Sequence, residues 1–555
     1  MKMRDRNASL KSALGNMPTV ETVREISSIP VEDSVNRQGY AAYSLADELK
    51  LISMLNTVRV EAQAYRSESD VMRDLRDLIE RIGLKDPYFV AQAIVYSRCK
   101  GEGMRAINHL AAALLAPFIS GKPYAKAFYG LWNKKEGIGG CIYRPDDMSE
   151  IKDVYATLNK ATLSNAMKKG FAASLEALDT YLLAKYKKTV IDIANLVHPN
   201  PTNSTATIKD ENGNDVNVLN ALMNGINIVA DTWETAQAEA GQEVAKAVRE
   251  GKLTKEKAAE VLKEAKADNW NSLLKDGRLG TLAALRNIRA IMNNSNASDE
   301  IANMLCNLVS DPNKLRTGLI MPYQIDTAYE VVRDEIGTDS NQRNILTALL
   351  KGYETSIPNL ASALPGKTCV MIDCSGSMRT HCFINKNGKF VRMHNATACE
   401  KAGLIAATIA KATNADIVRF GSYAEITSYD PNMNVFDLGK KLSYDNMGGT
   451  SIAAAFGAIR GRKYDRIILL SDNEANTGRT STAYKEYIRS VNTSPYVYCI
   501  DFAAYGTTPL KNDGKINYYY GFGYAMFDDI TSNEFNPQAH IDKVRKIVID
   551  PNYIP

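Results

Sequence analysis

The chain has no long apolar run, few histidines and no paired cysteines, and each shortage narrows what it can be. No uninterrupted stretch is long enough to span a bilayer, and Met1-Lys2-Met3-Arg4-Asp5-Arg6 is not followed by the apolar segment of a secretory signal. Secretion and membrane insertion are therefore not expected. The eight cysteines are scattered, with Cys99, Cys141 and Cys306 far from the rest and no C-x-x-C pair. That usage suits reduced thiols in a cytoplasmic protein better than a disulfide framework, and it counts against an extracellular role. A Walker phosphate loop and a G-x-S-x-G nucleophile elbow are both missing. Charge of one sign is scarce too: 67 Lys and Arg face 63 Asp and Glu, a net of +4. Residues 361–555 hold 22 basic and 18 acidic residues, which leaves 45 of each in residues 1–360. Any nucleic-acid surface must rest on local clusters, not on bulk charge.

What is present begins with length. At 555 residues, 45% hydrophobic and 23% charged, the chain reads as an ordinary globular protein too long for one core. The run Val370-Met371-Ile372-Asp373-Cys374-Ser375-Gly376-Ser377-Met378 sets an acid and two hydroxyls at alternate positions after a strand-like segment, Thr368 to Ile372. Continuous apolar strands of this kind belong to parallel sheets covered by helices, whose carboxyl ends bind ligands. Arg466 to Leu470 is a second such strand leading to Ser471-Asp472, and Met447-Gly448-Gly449-Thr450-Ser451 is a glycine turn before an apolar helix, Ile452 to Ile459. Asp373, Ser375, Ser377, Thr450 and Asp472 together form an oxygen set suited to Mg²⁺ or another divalent cation, with positions left for water or a partner's acid. Taken singly, each of these residues is explained as a helix cap or a turn residue. Asp416 to Phe420 and Tyr496 to Ile500 add strands, and Thr397 to Ala412 an Ala-rich helix.

Residues 1–360 carry helical periodicity instead. Leu163, Met167, Phe171, Leu175, Leu178 and Leu182 trace one apolar helix face, and Leu282, Leu285, Ile288 and Ile291 another, with Arg286 and Arg289 turned away from it. Further helical runs cover Phe89 to Tyr96, Arg105 to Phe118 and Asn344 to Leu350, with prolines at intervals that suit helix ends. Short helices in series suggest a stacked repeat architecture, without a period that the sequence reveals. Residues 234 to 267 alternate Glu and Lys in an Ala-rich stretch, which reads as a solvated helix pair with no chemistry.

The basic cluster is Lys168, Lys169, Lys185, Lys187 and Lys188, placed at both ends of the Leu163–Leu182 pattern with Tyr181 and Tyr186 interleaved and His198 beyond. Phosphates need point charges and unpaired bases stack on aromatic faces, so the cluster is a candidate RNA surface. The plain structural alternative is a solvated, lysine-rich helix end, with His198 a simple cap before Pro199.

The acid-and-hydroxyl pattern resembles the metal-ion-dependent adhesion site (MIDAS) of von Willebrand factor A domains: D-x-S-x-S, then Thr, then Asp. A helical half preceding such a domain resembles the Ro ribonucleoprotein family, whose TROVE module is a HEAT-like helical ring. The stretches that carry the likeness are Tyr181 to Pro201, Asn269-Trp270 leading to Leu282-Ala283-Ala284-Leu285-Arg286-Asn287, Met321-Pro322-Tyr323, and Ser471-Asp472-Asn473-Glu474. The resemblance implies a multidomain protein: an all-α HEAT-like helical-repeat ring over 1–360, and an α/β doubly wound von Willebrand factor A domain over 361–555. It implies a monomeric, non-enzymatic scaffold that binds small noncoding RNAs such as Y RNAs and the single-stranded ends of misfolded RNAs. An exoribonuclease such as polynucleotide phosphorylase is an implied partner. Lys185 and His198 match RNA-contacting positions of the family, and Arg286 joins them on the implied surface. The family's Arg one turn past the Lys has no clean equivalent here; Thr189 stands in its place, with Lys187 or Lys188 as a substitute that lacks the planar guanidinium.

Two side readings accompany this one. His381, Cys382, His394 and Cys399 are spaced loosely like zinc donors, whereas Asn387-Gly388 between Phe383-Ile384 and Phe390-Val391 reads as a β-hairpin. In a rival function, the metal site recruits an acidic loop of a protein partner and RNA plays no part.

Overall fold

The computed structural model describes residues 30–132, 139–159, 162–209, 213–226, 228, 233–294, 298–318, 320–335, 340–379, 383–386, 389–392, 396–512, 514–532, 538–553 and 555. Two compact units divide the chain, one of residues 1–74 with 357–542, the other of residues 75–356 with 543–555. This is not the single cut between 360 and 361 expected above: each unit includes a chain end remote in sequence.

The first unit is built on a six-stranded sheet ordered Ile516–Tyr520, Tyr496–Asp501, Arg466–Ser471, Thr368–Asp373, Asp416–Phe420 and Ala424–Thr427. The first five strands are parallel and the last is an antiparallel edge. Thr368–Asp373 and Arg466–Ser471 are buried at every position, which explains their uninterrupted apolar character. From Thr368–Asp373 the chain moves to one side of the sheet and returns to Arg466–Ser471 on the other, so strand order reverses between them. Ligand sites of open α/β sheets lie at the carboxyl ends of strands at such a switch point. Helix Ala398–Thr413 packs on the sheet behind a capping box, with Thr397 Oγ1 accepting from Glu400 N and Glu400 returning a bond to Thr397 N.

The N-terminal segment is part of this unit for a structural reason that local pattern does not show. Ser34–Val35 pairs with Ala41–Ser44, which pairs in turn with Thr507–Thr508. Helix Asp47–Thr57 lies against the Ile516–Tyr520 strand, where the Ser53 and Tyr518 hydroxyls are 3.0 Å apart.

The second unit is helical. Pro87–Cys99 packs on Ala106–Ile119, Ala106–Ile119 on Pro145–Asn159, and Asp299–Val309 and Pro322–Glu335 on Ser340–Ser356. Trp233–Arg249 and Lys255–Lys275 form the expected pair, with Lys246 and Lys252 on Glu250 at 3.9 and 2.7 Å. Thr281–Asn294 buries Leu285, Ile288 and Ile291 and leaves Arg286 and Arg289 exposed, as its periodicity predicts. The Leu163–Leu182 pattern is not one helix. Asn165–Glu176 ends, and Asp179 caps a new one, Thr180–Lys185, by accepting from Leu182 N at 2.7 Å. Among the described residues no helix is long and apolar enough to cross a membrane.

Candidate metal centre and RNA surface

Three segments converge at the switch point. The Asp373 side chain accepts from Ser375 N (2.9 Å) through Oδ1 and from the Ser471 hydroxyl (2.6 Å) through Oδ2, which turns the chain so that Ser375 Oγ and Ser377 Oγ stand 3.1 Å apart. The Thr450 turn is pinned to this loop by Gly376 N to Gly448 O (2.9 Å) and Met447 N to Cys374 O (2.9 Å). It is pinned to the loop after Asp472 by Thr450 N to Asn476 Oδ1 (2.8 Å) and Asn476 N to Thr450 O (2.9 Å). Gly448 holds φ +84°, and a Cβ there would lie 2.7 Å from Ser422 Oγ, so both backbone and space require glycine. All five expected donors are thus held on loops braced to one another.

The electrostatics of the centre suit a cation. Asp373, Thr450 and Asp472 are 0–2% exposed. Among the described residues Thr450 Oγ1 and Asp472 Oδ2 have no hydrogen-bond partner. Burial raises the Asp373 and Asp472 carboxyls above their ordinary range, and the negative charge of Asp373 raises Asp472 further. Glu474, also buried, is pushed up to about 8 by burial and by Asp472; its Oε2 accepts from Gln38 N at 3.2 Å, and among the described residues its Oε1 has no hydrogen-bond partner. Orphaned buried oxygens and raised carboxylates are what a divalent cation would resolve, by replacing lost water and compensating charge. Among the described residues no three His, Cys, Asp or Glu side chains gather as a metal site. This set has two acids, and the fit to a hard cation rests on its hydroxyls. Asp373, Ser375, Ser377, Thr450 and Asp472 would hold Mg²⁺.

Sequence reasoning passed over the supporting residues. Ser471 holds Asp373, Asn476 holds Thr450, and the fully buried Asp501, raised by burial, accepts from Tyr518 OH and from Ala503 N and Ala504 N. Asp501 had a legible signal, an acid closing an apolar strand at Tyr496–Asp501. Ser471 and Asn476 carry none without the fold.

The zinc set is reduced to Cys399, since His381, Cys382 and His394 lie outside the described residues; Cys399 is buried and its Sγ points to Ser443 O at 3.8 Å. The hairpin reading stands in the backbone: Phe383–Lys386 pairs antiparallel with Lys389–Arg392, Ile384 opposite Val391.

The basic residues fall on three neighbouring helices of the helical unit. Lys168 and Lys169 sit near the start of Asn165–Glu176, which packs on Lys187–Val197. Lys185 closes Thr180–Lys185, its Nζ 3.1 Å from Tyr181 OH and 5.4 Å from that ring's centroid. Lys188 is exposed at the start of Lys187–Val197, whereas Lys187 Nζ reaches Ile228 O at 3.5 Å. His198 is exposed and ends this helix in the left-handed region, φ 51°. Thr189, at the position of the missing Arg, bonds Asp146 at 3.1 Å and faces its own unit. Arg286 lies on another helix, Thr281–Asn294, which packs on Lys255–Lys275, Asp299–Val309 and Pro322–Glu335.

No protein family matches the chain in sequence, and no curated protein does. The crystal structure of the Deinococcus radiodurans Ro (RSR) protein is similar to it with a TM-score of 0.53 and 16% identity, over 88% of this chain and all of that one. At that identity the likeness is one of fold. From helical unit to mixed sheet, the chain has the fold of a Ro protein.

Proposed function

We propose that the protein is an RNA-binding, Ro-like ribonucleoprotein scaffold rather than an enzyme. The observation that carries this is the shared fold with a Ro protein over 88% of the chain, together with a lysine and tyrosine cluster on its helical unit. In this reading the helical unit is a HEAT-like TROVE ring. Its outer face takes small structured RNAs such as Y RNAs, and its centre takes single-stranded ends. The sheet unit is a von Willebrand factor A domain whose MIDAS holds Mg²⁺. The protein works as a monomer in the cytoplasm, in RNA quality control or processing beside an exoribonuclease of the polynucleotide phosphorylase type. Lys168, Lys169, Lys185, Lys188 and His198 meet phosphate, and Tyr181 offers an exposed ring for stacking.

The test is binding of a structured small RNA across a salt series. Lysine–phosphate contacts release counterions, so affinity should fall steeply with salt. Lys185→Ala with Lys188→Ala should weaken binding about tenfold or more and flatten the salt dependence, with melting temperature unchanged. Unchanged binding removes these residues from the site. The equal numbers of basic and acidic residues in 1–360 favour the second reading, a protein scaffold without RNA. Under that reading, gently purified protein carries no excess absorbance at 260 nm.

A further inference from the structure

The three helices that carry the lysines, Asn165–Glu176, Thr180–Lys185 and Lys187–Val197, contain no arginine. A guanidinium reaches them from another segment. Arg144 immediately precedes helix Pro145–Asn159, which packs on Lys187–Val197 and is tied to it by Thr189 Oγ1 donating to Asp146 Oδ1 at 3.1 Å. This places Arg144 Nη1 3.4 Å from the Tyr186 hydroxyl, to which it donates. Lys185 Nζ lies 6.0 Å from the centroid of the same ring, so the half-buried Tyr186 joins the arginine to the lysines in one surface.

Arg144 is held there with most of its donors unused. Its side chain is 36% exposed, and among the described residues the Tyr186 contact is its only hydrogen bond. Asp147, the acid behind it, is already filled: Oδ1 accepts from Arg105 Nε and Nη2 at 3.1 and 2.8 Å, and Oδ2 from Arg98 Nη2 and Tyr143 N at 2.7 and 3.0 Å. Arg144 Nε stands 3.7 Å from Asp147 Oδ1, near enough for attraction and too far for a bond. Glu150 is engaged in turn by Arg105 Nη2 at 2.8 Å and His109 Nδ1 at 2.5 Å. Asp146, Asp147 and Glu150 are thus matched by Arg98, Arg105 and Arg144. Beyond them stand Lys185, Lys187 and Lys188 against Asp192, the single acid of Lys187–Val197, which leaves the surface positive.

We propose that Arg144 is an RNA-contacting residue, its guanidinium taking two oxygens of one phosphate at the edge of the lysine surface, with Tyr186 positioning it. The inference rests on the reading of that surface as an RNA site and adds a contact that lysines cannot make. A guanidinium presents its donors in a planar fork that matches two phosphate oxygens, whereas an ammonium is a point charge. A lone carboxylate would fill the same fork, but it would leave Lys185 and Lys188 without the counter-charge that successive phosphates supply.

The experiment is binding of a bulged stem–loop RNA to the full chain across a salt series, with Arg144→Lys, Arg144→Ala and Tyr186→Phe beside the double variant Lys185→Ala, Lys188→Ala. Arg144→Lys, which keeps the charge and loses the fork, should weaken binding about fivefold or more. For Arg144→Ala the slope of log affinity against log salt should become shallower by about 0.7–0.9, the loss of one phosphate contact. Tyr186→Phe, which keeps the ring and removes the hydroxyl, should weaken binding about two- to threefold. A purely structural role would move the melting temperature and leave the salt slope alone, so an unchanged slope in Arg144→Ala overturns the inference whatever that variant's stability. Arg144→Lys binding as tightly as the unsubstituted protein overturns it too, as does an acidic peptide that depends on Arg144 when the RNA does not. If the double lysine variant weakens binding and the arginine variants do not, the RNA reading stands and this inference falls; if none of them weakens it, both fall.

Discussion

Asp147 shows at the scale of one residue how the helical unit holds a buried charge. It has no exposure, and Arg98 at 2.7 Å, Arg105 at 2.8 Å and His109 Nε2 at 3.6 Å surround it, with Tyr143 N donating at 3.0 Å. Burial would raise its carboxyl, yet the charges of Arg98, His109 and Arg105 outweigh burial and hold it below the usual carboxylate range. Its stabilisation is therefore present above the ordinary carboxylate value and lost as pH falls through the depressed one. Asp147→Asn should cost about 3–5 kcal/mol by chemical denaturation, since buried cations would remain without their partner. The metal centre behaves with the opposite sign. Its carboxyls are raised, so without metal the folded state holds more protons than the unfolded chain once pH exceeds about 4. Stability of the metal-free protein should be full below that pH and fall as pH rises through the Glu474 value of about 8, and saturating Mg²⁺ should flatten the curve. Melting temperature against pH, with and without Mg²⁺, measures this. An apo curve that rises over that range would contradict it. Asp373→Ala should remove the response to Mg²⁺ altogether.

At the scale of elements, caps decided what apolar spacing could not. Met167, Phe171, Leu175 and Leu178 are all buried, so the apolar face read from the sequence is real. It is shared by two helices because Asp179 offers the backbone a better partner than continued helix does. The signal was present as Asp-Thr before an apolar pair, a cap signature inside a periodic run. Asp179→Ala should destabilise the helical unit by about 1 kcal/mol, read as a shift in the urea midpoint. Strands followed the same division. The two central strands, buried on both faces, were legible as continuous apolar runs. Ile516–Tyr520, tyrosine-rich, and Ala424–Thr427, a short polar edge, were not, because their place in the sheet comes from partners and not from their own composition.

For the whole molecule, the grouping of chain ends is the feature that local pattern could not reach. Asn36 Nδ2 donates to Ala475 O at 2.7 Å, Arg66 Nη2 to Ala503 O at 2.9 Å, and Ala41–Ser44 adds a strand to Thr507–Thr508. In the helical unit, Gln92 Nε2 binds Arg545 O and Ile547 O at 3.0 and 2.7 Å, and Tyr88 OH accepts from Ile549 N at 3.0 Å. Deleting residues 30–66 should lower the melting temperature of the sheet unit by roughly 5 °C or more, as about 2 kcal/mol would in a domain of its size. It should also speed hydrogen exchange at Thr507 and Thr508. Unchanged protection there would mean that the segment is not part of the unit's stability.

The sequence by itself determined the mostly helical character of the described residues from 68 to 356, the two buried central strands, and the Asp373, Ser375 and Ser377 part of the acid-and-hydroxyl set, whose spacing depends only on neighbours along the chain. Local propensity and periodicity are short-range properties, and these features need nothing more. Tertiary structure alone decided that Thr450 meets Asp373 and Asp472 through Gly448 and Asn476, and that Arg144 of one helical segment meets Tyr186 of another. Those are contacts between segments tens to hundreds of residues apart, chosen by the packing of whole layers, and no period in the chain encodes them.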